Sequence, residues 1–343
     1  MRFKLILLIS CFPFVFLETF AREYRRIVFY NVENLFDTRH DEGKCDEEFT
    51  PSGRQYWTHT RYTDKLQKIS RAIHAAGEGQ FPALVGLCEV ENGQVLTDLV
   101  NKTLLAGADY GIVHQDSPDI RGIDVALLYR RSCFRVLGRQ FIPVGIPQDT
   151  SFRTRDVLYV SGVLKSADTL RQDTFHLFVC HFPSMSGGER QSEWKRKLAA
   201  AVVKYHVDSI QLQNPRAAIV LMGDFNGKAD RPALKTVLKA QKTDSRRIEN
   251  TRLYNTGYYL LNAAFGSYKY RGEWQTIDHI IVSGVLLNGG HAFRAEKRLK
   301  PYAADFLMEE DKTYFGYKPW RTFVGPRYLG GYSDHLPVYL DIH

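Results

Sequence analysis

The sequence predicts one α/β or α+β domain. Apolar strand-like runs alternate with helix-periodic segments along the chain, and no linker, internal repeat or low-complexity tract interrupts them. Its 343 residues, 44% hydrophobic and 24% charged, suffice for one large core or two small ones. Several of the strand-like runs end in carboxylates, amides or imidazoles. One strand ending this way is common, whereas so many suggest an active site built along one edge of a sheet.

Taken in order, Met1-Arg2-Phe3-Lys4 is basic, Leu5 to Leu17 is apolar, and Glu18-Thr19-Phe20-Ala21 supplies small residues at Thr19 and Ala21. This is the form of a signal peptide cleaved after Ala21, leaving 22–343 as the mature domain, secreted or periplasmic. The apolar stretch is short for a membrane span. Leu8-Ile9-Ser10-Cys11 has the form of a lipidation site, but the apolar run is very short before Cys11 and continues past it, which disfavours a lipoprotein anchor.

Ile27–Tyr30 reads as a strand running into Asn31-Val32-Glu33-Asn34. The acidic concentration from Asp37 to Glu48 reads as a solvated polar loop, and His40, His59 and His74 as solvated histidines. Thr60–Ala76 is a helix: Leu66, Ile69, Ile73 and Ala76 repeat at helical spacing, and Gly77 stops it. Strand Ala83–Cys88 leads into Glu89, with Glu91 capping or solvating the following turn. Gln94–Leu105 is a second helix. Asp124–Tyr129 and Leu158–Leu164 are strands, placed side by side. Strand Thr174–Cys180 ends at His181.

Glu189–Ile210 is a long helix with Trp194, Leu198, Ala201, Val202 and Tyr205 on one face. Ala217–Met222 is a buried strand that Gly223 stops at a sharp turn, leaving Asp224 and Asn226 at its end. Thr276–Ser283 carries Asp278, and Leu336–Ile342 closes the sheet after Ser333-Asp334-His335. Between these last two, Pro301–Tyr332 is irregular, aromatic and basic, as functional segments inside compact domains often are. Its rings read mainly as packing, as do Tyr268, Tyr270 and Trp274, whose position just before Asp278 makes stacking on a base or lipid worth testing.

Outside the signal segment the cysteines are Cys45, Cys88, Cys133 and Cys180, with no CxxC spacing and so no zinc pattern. Cys88 and Cys180 read as small core residues. The formal net charge of +8 favours polyanionic partners, nucleic acid first and anionic lipid second.

The polar residues have one chemistry in common. Glu89 and Asp334 are hard oxygen ligands, with Asn31 and Glu33 beside them, and such donors suit Mg²⁺ or Mn²⁺. Asp224 is placed to orient and deprotonate water. His335 is placed to contact phosphate, with Asp278 fixing its tautomer and keeping it charged. His181 and Asn226 are donors of the kind that hold phosphate oxygens. No Ser-His-Asp order, Walker loop or dinucleotide fingerprint appears. The inventory fits metal-assisted hydrolysis of a phosphoester.

Asn31-Val32-Glu33-Asn34, Glu89, His181, Gly223-Asp224-Phe225-Asn226, Asp278 and Ser333-Asp334-His335 occur in the order of the endonuclease/exonuclease/phosphatase superfamily, which the chain resembles from about Ile27 to its C-terminus. With Leu35-Phe36-Asp37, the first motif is also similar to secreted members from Bacteroidetes-type bacteria. The resemblance implies a four-layered α/β sandwich, two packed mixed β-sheets flanked by helices. It implies that Asn31 and Glu89 hold the metal, with Asp334 nearby. It assigns Asp224 to the nucleophilic water, Asn226 to phosphate, and Asp278 with His335 to an acid/base dyad. His181 falls at a phosphate-binding position of the nucleases, which places the chain nearer the deoxyribonuclease-like and lipid-phosphodiesterase branches. Arg155 falls where such nucleases place a phosphate-contacting arginine, and Glu33 replaces an Asp of some relatives.

The expected protein is a monomeric nuclease using Mg²⁺, or else Mn²⁺ or Ca²⁺, with Arg155, Arg190 and Lys195 on nucleic-acid phosphates. A sphingomyelinase or other phospholipid or inositol phosphoesterase is the competing enzyme. It would need membrane docking through Pro301–Tyr332, where Glu309, Glu310, Asp311, Lys312, Lys318, Arg321 and Arg327 interrupt the aromatics. An inactive binding module is the reading from another class, and the full set of catalytic residue types weighs against it.

Overall fold

The computed structural model describes residues 24–146, 149, 152–165, 172–289 and 291–343. The expected signal peptide, residues 1–21, and Cys11 lie outside these residues. The strands and helices in chain order are β1 (Arg25–Leu35), α1 (His59–Ala76), β2 (Leu84–Val90), α2 (Gly93–Asn101), β3 (Tyr110–His114), β4 (Asp124–Arg130), β5 (Phe134–Ile142), β6 (Val157–Lys165) and β7 (Gln172–His181). Next come α3 (Glu189–Gln213), β8 (Ala218–Asp224), β9 (Gln241–Lys242), β10 (Leu253–Asn255), β11 (Tyr268–Tyr270), β12 (Glu273–Gln275), β13 (Asp278–Ser283) and α4 (Gly284–Asn288). The chain closes with β14 (Lys300–Pro301), β15 (Met308–Glu310), β16 (Tyr317–Pro319), β17 (Phe323–Val324), β18 (Arg327–Tyr328) and β19 (Val338–Ile342).

Two mixed sheets carry the fold. One has six strands in the order β14-β19-β1-β2-β4-β3, the other seven in the order β5-β6-β7-β8-β13-β10-β9. Strands β1 and β2 run parallel, as do β7 and β8. Side chains alternate across a strand, so β1 sends Ile27 and Phe29 one way and Val28 and Tyr30 the other. The first pair joins Leu84, Leu127, Val160, Leu177, Val220, Ile280 and Leu340 in a core between the sheets. The second pair packs with Val85 and Leu87 beneath Leu66, Ile69 and Ile73 of α1 and Leu96 and Leu99 of α2. On the far side, Phe178, Cys180, Ile219, Leu221 and Ile281 pack beneath α3. The result is the four-layered α/β sandwich, helices outside and two sheets within.

Helix α1 begins where the Thr58 side chain accepts from the Arg61 backbone N–H and ends at Gly77. Helix α3 corrects the expected face. Its buried residues are Ser192, Arg196, Ala199, Ala200, Val203 and Val207, while Trp194 and Tyr205 are exposed. The sheet beneath already carries large rings at Phe178, Phe182 and Phe225, so the helix approaches on its small side chains. Strands β4 and β6 are not neighbours: they lie in different sheets and face each other across the central core. β13 and β19 likewise end up in separate sheets. Strand β5 escaped notice because it is an edge strand, half-exposed and interrupted by Arg135, Arg139 and Gln140.

Gly223 does not end β8, which runs on through Asp224. A Cβ on Gly223 would stand 2.4 Å from the Cys180 carbonyl, so glycine is required for close approach of β7 to β8. The Pro301–Tyr332 segment forms small hairpins, β15 with β16 and β17 with β18. Phe323, Tyr328, Trp320 and Tyr332 from it pack onto the outer face beneath α1, whereas Tyr314, Phe315 and Tyr317 are exposed. The four cysteines are free, and Cys88, Cys133 and Cys180 are buried.

Candidate active site

The site lies where the central core reaches one rim of the sandwich. Along β8, Val220 and Met222 face the core between the sheets, and two residues on the same face carries Asp224. By the same alternation Leu177 and Val179 lead to His181, Ile280 leads back to Asp278, and Ile27 and Phe29 lead to Asn31. Strand register then brings three of them together: Asp224 is opposite Asp278 on β13 and beside His181 on β7. Glu89 reaches the rim by another device. The β1–β2 and β2–β4 registers both shift here, and Glu33, Asn34 and Glu89 all have positive φ. Such a bulge re-aims side chains at the cost of local strain.

The cluster is tightly wired. Asn31 Nδ2 donates to Asp224 Oδ2 at 3.2 Å and to Glu89 Oε1 at 3.4 Å. Glu89 Oε2 accepts from the Asn34 backbone N–H at 3.1 Å. Asp224 Oδ1 accepts from the Asn226 backbone N–H at 2.8 Å, while the other oxygen faces His181 Nε2 at 3.8 Å and His335 Nε2 at 3.9 Å. His335 Nδ1–H donates to Asp278 Oδ2 at 2.8 Å, and that oxygen also accepts from the Ser267 hydroxyl at 2.5 Å. Ser333 explains the Ser-Asp-His order: its hydroxyl donates to the Asn31 carbonyl at 2.7 Å and accepts from the His335 N–H at 3.1 Å, tying the loop before β19 to β1.

Burial and charge set the two histidines apart. Burial works to depress His335, but Asp278, then Asp224 and Asp334, overcome it and raise its pKa to about 10, so it is an imidazolium at neutral pH. Burial, then Arg155, Arg121 and His335, hold His181 well below the usual histidine value, so it is neutral. Burial and Asp278 push Asp224 up to about 7, against the pull of His335 and the hydrogen bonds from Asn226 and Asn31.

A cleft of about 720 Å³ opens over this cluster, lined by Glu89, His181, Asp224, Asn226, Asp334 and His335. Arg121, Lys228 and Arg231 also line it, as do Tyr268 and Tyr270. None of the three cations was singled out from the sequence, since each sits in a loop with no periodicity to mark it. Arg121 Nη2 donates to Asn34 Oδ1 at 2.8 Å and stands 4.0 Å from Glu89 Oε2. The Tyr268 ring lies 4.8 Å from the His335 ring. Trp274 instead packs on Phe265.

Other expected residues lie elsewhere. Arg155 is not open to substrate: it is buried, its guanidinium donating to Asp119 Oδ2 and to the Phe182 carbonyl, each at 3.0 Å. It braces the strand end that carries His181. Arg190 is exposed on the first turn of α3, and Lys195 lies over the Phe152 and Trp194 rings, and neither lines the cleft. Asn226, in the left-handed region, spends its Nδ2 on the Phe182 carbonyl at 2.9 Å. Glu33 turns away from the rim, accepting from the Thr322 N–H at 2.6 Å and from Arg321 Nε at 3.3 Å. Arg321 also donates to Asp334 Oδ2 at 3.1 Å. Glu91 is buried and caps not the turn after Glu89 but the loop after β1, accepting from the Asp37 N–H at 2.6 Å.

The donors suit a hard divalent cation at Glu89. One Glu89 oxygen is fixed by Asn34, the other takes the long contact from Asn31 and faces His181 Nε2 at 3.9 Å, and Asp334 adds a carboxylate to the same cleft. Few protein oxygens around an open cleft leave room for retained waters, as Mg²⁺ and Mn²⁺ prefer. Asn31 presents its nitrogen here, because its oxygen accepts from the Glu33 N–H at 3.0 Å, so it would ligate only with its amide turned.

His279, next to Asp278, anchors the turn behind Asp224. Its Nε2–H donates to the Gly227 carbonyl at 3.0 Å and its Nδ1 accepts from Asn255 at 3.2 Å. Burial lowers its pKa from 6.5 to about 4, despite the Gly227 bond and Asp278. The unfolded chain takes up this proton near 6.5 and the folded chain only near 4. Stability present above pH 6.5 is therefore lost as pH falls through that window, by about 3 kcal/mol. Urea unfolding of wild type and His279→Gln from pH 7 to 4.5 checks this: the variant is expected to lose less stability over that range, and parallel curves would refute it.

Sequence and structure comparisons agree with this geometry. The model of the endonuclease/exonuclease/phosphatase family matches residues 26–343. The chain belongs to the endonuclease/exonuclease/phosphatase family. As a member it is a phosphoric ester hydrolase of a divalent-metal-dependent class. Similar solved folds of the family include a mannosyl-6-phosphatase from Bacteroides thetaiotaomicron, with 16% identity and a TM-score of 0.56 over 93% of this chain and 99% of that one. D. rerio TDP2 complexed with single-strand DNA product has 13% identity and a TM-score of 0.54 over 93% and 99%. The human nocturnin catalytic domain with bound sulfate has 15% identity and a TM-score of 0.53 over 93% and 94%. A search of curated proteins returned no match.

Proposed function

We propose that the protein is an exported, divalent-metal-dependent phosphodiesterase that cleaves nucleic acid. One observation carries the choice of substrate: besides the catalytic cluster the cleft is lined by Arg121, Lys228 and Arg231, the last also paired with Glu189 at 2.9 Å, and by the rings of Tyr268 and Tyr270. A phosphomonoester needs cations at one phosphate, whereas a polynucleotide is held by several cations and by stacking of its bases. In this reading Asp224 orients the attacking water and accepts its proton. His335, charged and fixed by Asp278, steadies the phosphate, and neutral His181 donates to a non-bridging oxygen. A metal held by Glu89, with Asp334 and a turned Asn31, would offset charge on the phosphoryl and leaving oxygens. One related fold is complexed with a single-strand DNA product and another is a mannosyl-6-phosphatase, so the lining and not the fold supports this choice.

A second reading has its own observation. Tyr270, which lines the cleft, and Tyr314, Phe315 and Tyr317 are exposed, Phe315 with 84% of its surface. Lys269, beside Tyr270, donates to the Phe315 carbonyl and joins the two segments. Exposed rings of this kind also suit docking on a phospholipid surface, as a sphingomyelinase requires.

The salt dependence of binding to duplex DNA separates the two. Lys228→Ala is expected to weaken binding to all sequences and to make the slope of log K against log salt shallower by about 0.9. Hydrolysis of sphingomyelin vesicles, with plasmid left intact under Mg²⁺, Mn²⁺ or Ca²⁺, would overturn the nuclease assignment in favour of the lipid reading.

A further inference from the structure

We propose that Asp41, Asp46 and Glu91 form a second divalent-cation site, of the calcium class, that fastens the loop after β1 to the end of β2. One carboxylate oxygen from each of the three lies within 4.8 Å of the others. The acidic loop is therefore not simply solvated. Asp46 is 1% exposed and Glu91 3%. Glu91 also points to a ligand independently of the cluster. Its Oε2 accepts from Asp37, but Oε1 is enclosed and has no hydrogen-bond partner. A buried carboxylate oxygen without a donor is costly; burial, with Asp37, Asp41 and Asp46 nearby, pushes the Glu91 pKa up to about 9, and a bound cation would take the place of that proton.

Few positive side chains stand close enough to do so. His40, its side chain 42% exposed, meets Asp46 Oδ1 through Nδ1, and Asp46 Oδ2 accepts from the Asp41 N–H at 2.9 Å. Lys44 turns its ammonium to the carbonyls of Ser117 and Asp119, at 2.7 and 2.9 Å. Asp37 adds a further negative charge beside Glu91, its Oδ2 accepting from Asn92 at 3.4 Å. Irregular oxygen donors drawn from a loop and a strand end suit Ca²⁺, which accepts varied coordination, better than Mg²⁺, which demands a regular octahedron.

This centre is separate from the catalytic one. Glu89 lines the cleft, and Asp41, Asp46 and Glu91 do not. Both are nevertheless attached to one short segment: the Asn34 N–H holds Glu89, and the Asp37 N–H holds Glu91. A cation bound by Glu91 would stiffen the backbone that presents Glu89.

Thermal unfolding of the full-length protein with and without Ca²⁺ tests the proposal. Trp57, whose Nε1–H donates to the Phe36 carbonyl at 2.9 Å, serves as sensitiser for Tb³⁺ luminescence at the same site. At a hundredfold excess over Kd, Ca²⁺ is expected to raise Tm by about 5 °C. The rise and the Tb³⁺ signal should persist in Glu89→Gln, which removes the catalytic ligand, and disappear in Asp41→Asn and Glu91→Gln. Circular dichroism establishes that each variant is folded. If Glu91→Gln does not fold, Asp41→Asn, on the more exposed loop, decides alone. No rise in wild type, its loss in Glu89→Gln, or its survival in Asp41→Asn would overturn the proposal.

Discussion

Asp224→Asn is expected to lower kcat by about 10²–10⁴-fold with KM little changed, the usual cost of losing a general base. The substitution keeps volume, and it keeps an oxygen able to accept from the Asn226 N–H. It removes the oxygen that faces Asn31, His181 and His335, the one free to take a proton from water. The same change should not unfold the protein, because burial and Asp278 already strain the ionised carboxylate. Steady-state kinetics paired with urea denaturation checks both halves. Turnover within a few-fold of wild type would remove Asp224 from the chemistry, and a large loss of stability would make it structural.

The largest effect on stability is expected from Lys65→Ala, at about 3–5 kcal/mol. Lys65 is 1% exposed on the buried face of α1. Its ammonium donates to Thr322 Oγ1 at 2.5 Å and to the Tyr332 carbonyl at 2.6 Å. Glu33 accepts from the backbone of the same Thr322, and Lys65 and Arg321 offset the burial that raises its pKa to about 7. Without Lys65, Glu33 keeps only the half-exposed Arg321 as a cation. Adding Glu33→Gln to Lys65→Ala should return part of the loss, since the uncompensated charge goes with it. Chemical denaturation of both single variants and the double variant measures that coupling. Additive losses would show that the two charges do not act as a pair.

How far the sequence was legible follows from the kind of signal each residue gives. Strands and helices with a clean period were placed within a few residues: the helix expected at Thr60–Ala76 spans His59–Ala76, and the strand expected at Thr276–Ser283 spans Asp278–Ser283. The residues at strand ends were found because a carboxylate or imidazole closing an apolar run is conspicuous. Asp224, Asp278, His181 and His335 do meet at one rim, since alternation and register leave them nowhere else. Arg155 was misjudged because a sequence does not show that Asp119 and the Phe182 carbonyl will enclose it. Arg121, Lys228 and Arg231 went unnoticed for a similar reason: loops converge on the cleft from distant parts of the chain, and no local pattern records it. The buried face of α3 differs from the expected one because Trp194 and Tyr205 carry the helical period outward, while Ser192, Arg196, Ala199, Ala200, Val203 and Val207 meet the sheet.

The most direct test is cleavage of supercoiled plasmid by the purified protein, followed over time in Mg²⁺, in Mn²⁺ and in chelator. Asp224→Asn and Glu89→Gln are run beside the wild type. The expected result is nicked and then linear DNA with either metal, none with chelator, and little or none from either variant. Plasmid cleaved as fast in chelator as in Mg²⁺, or cleaved equally by Asp224→Asn, would contradict a metal-assisted centre built on Glu89 and Asp224.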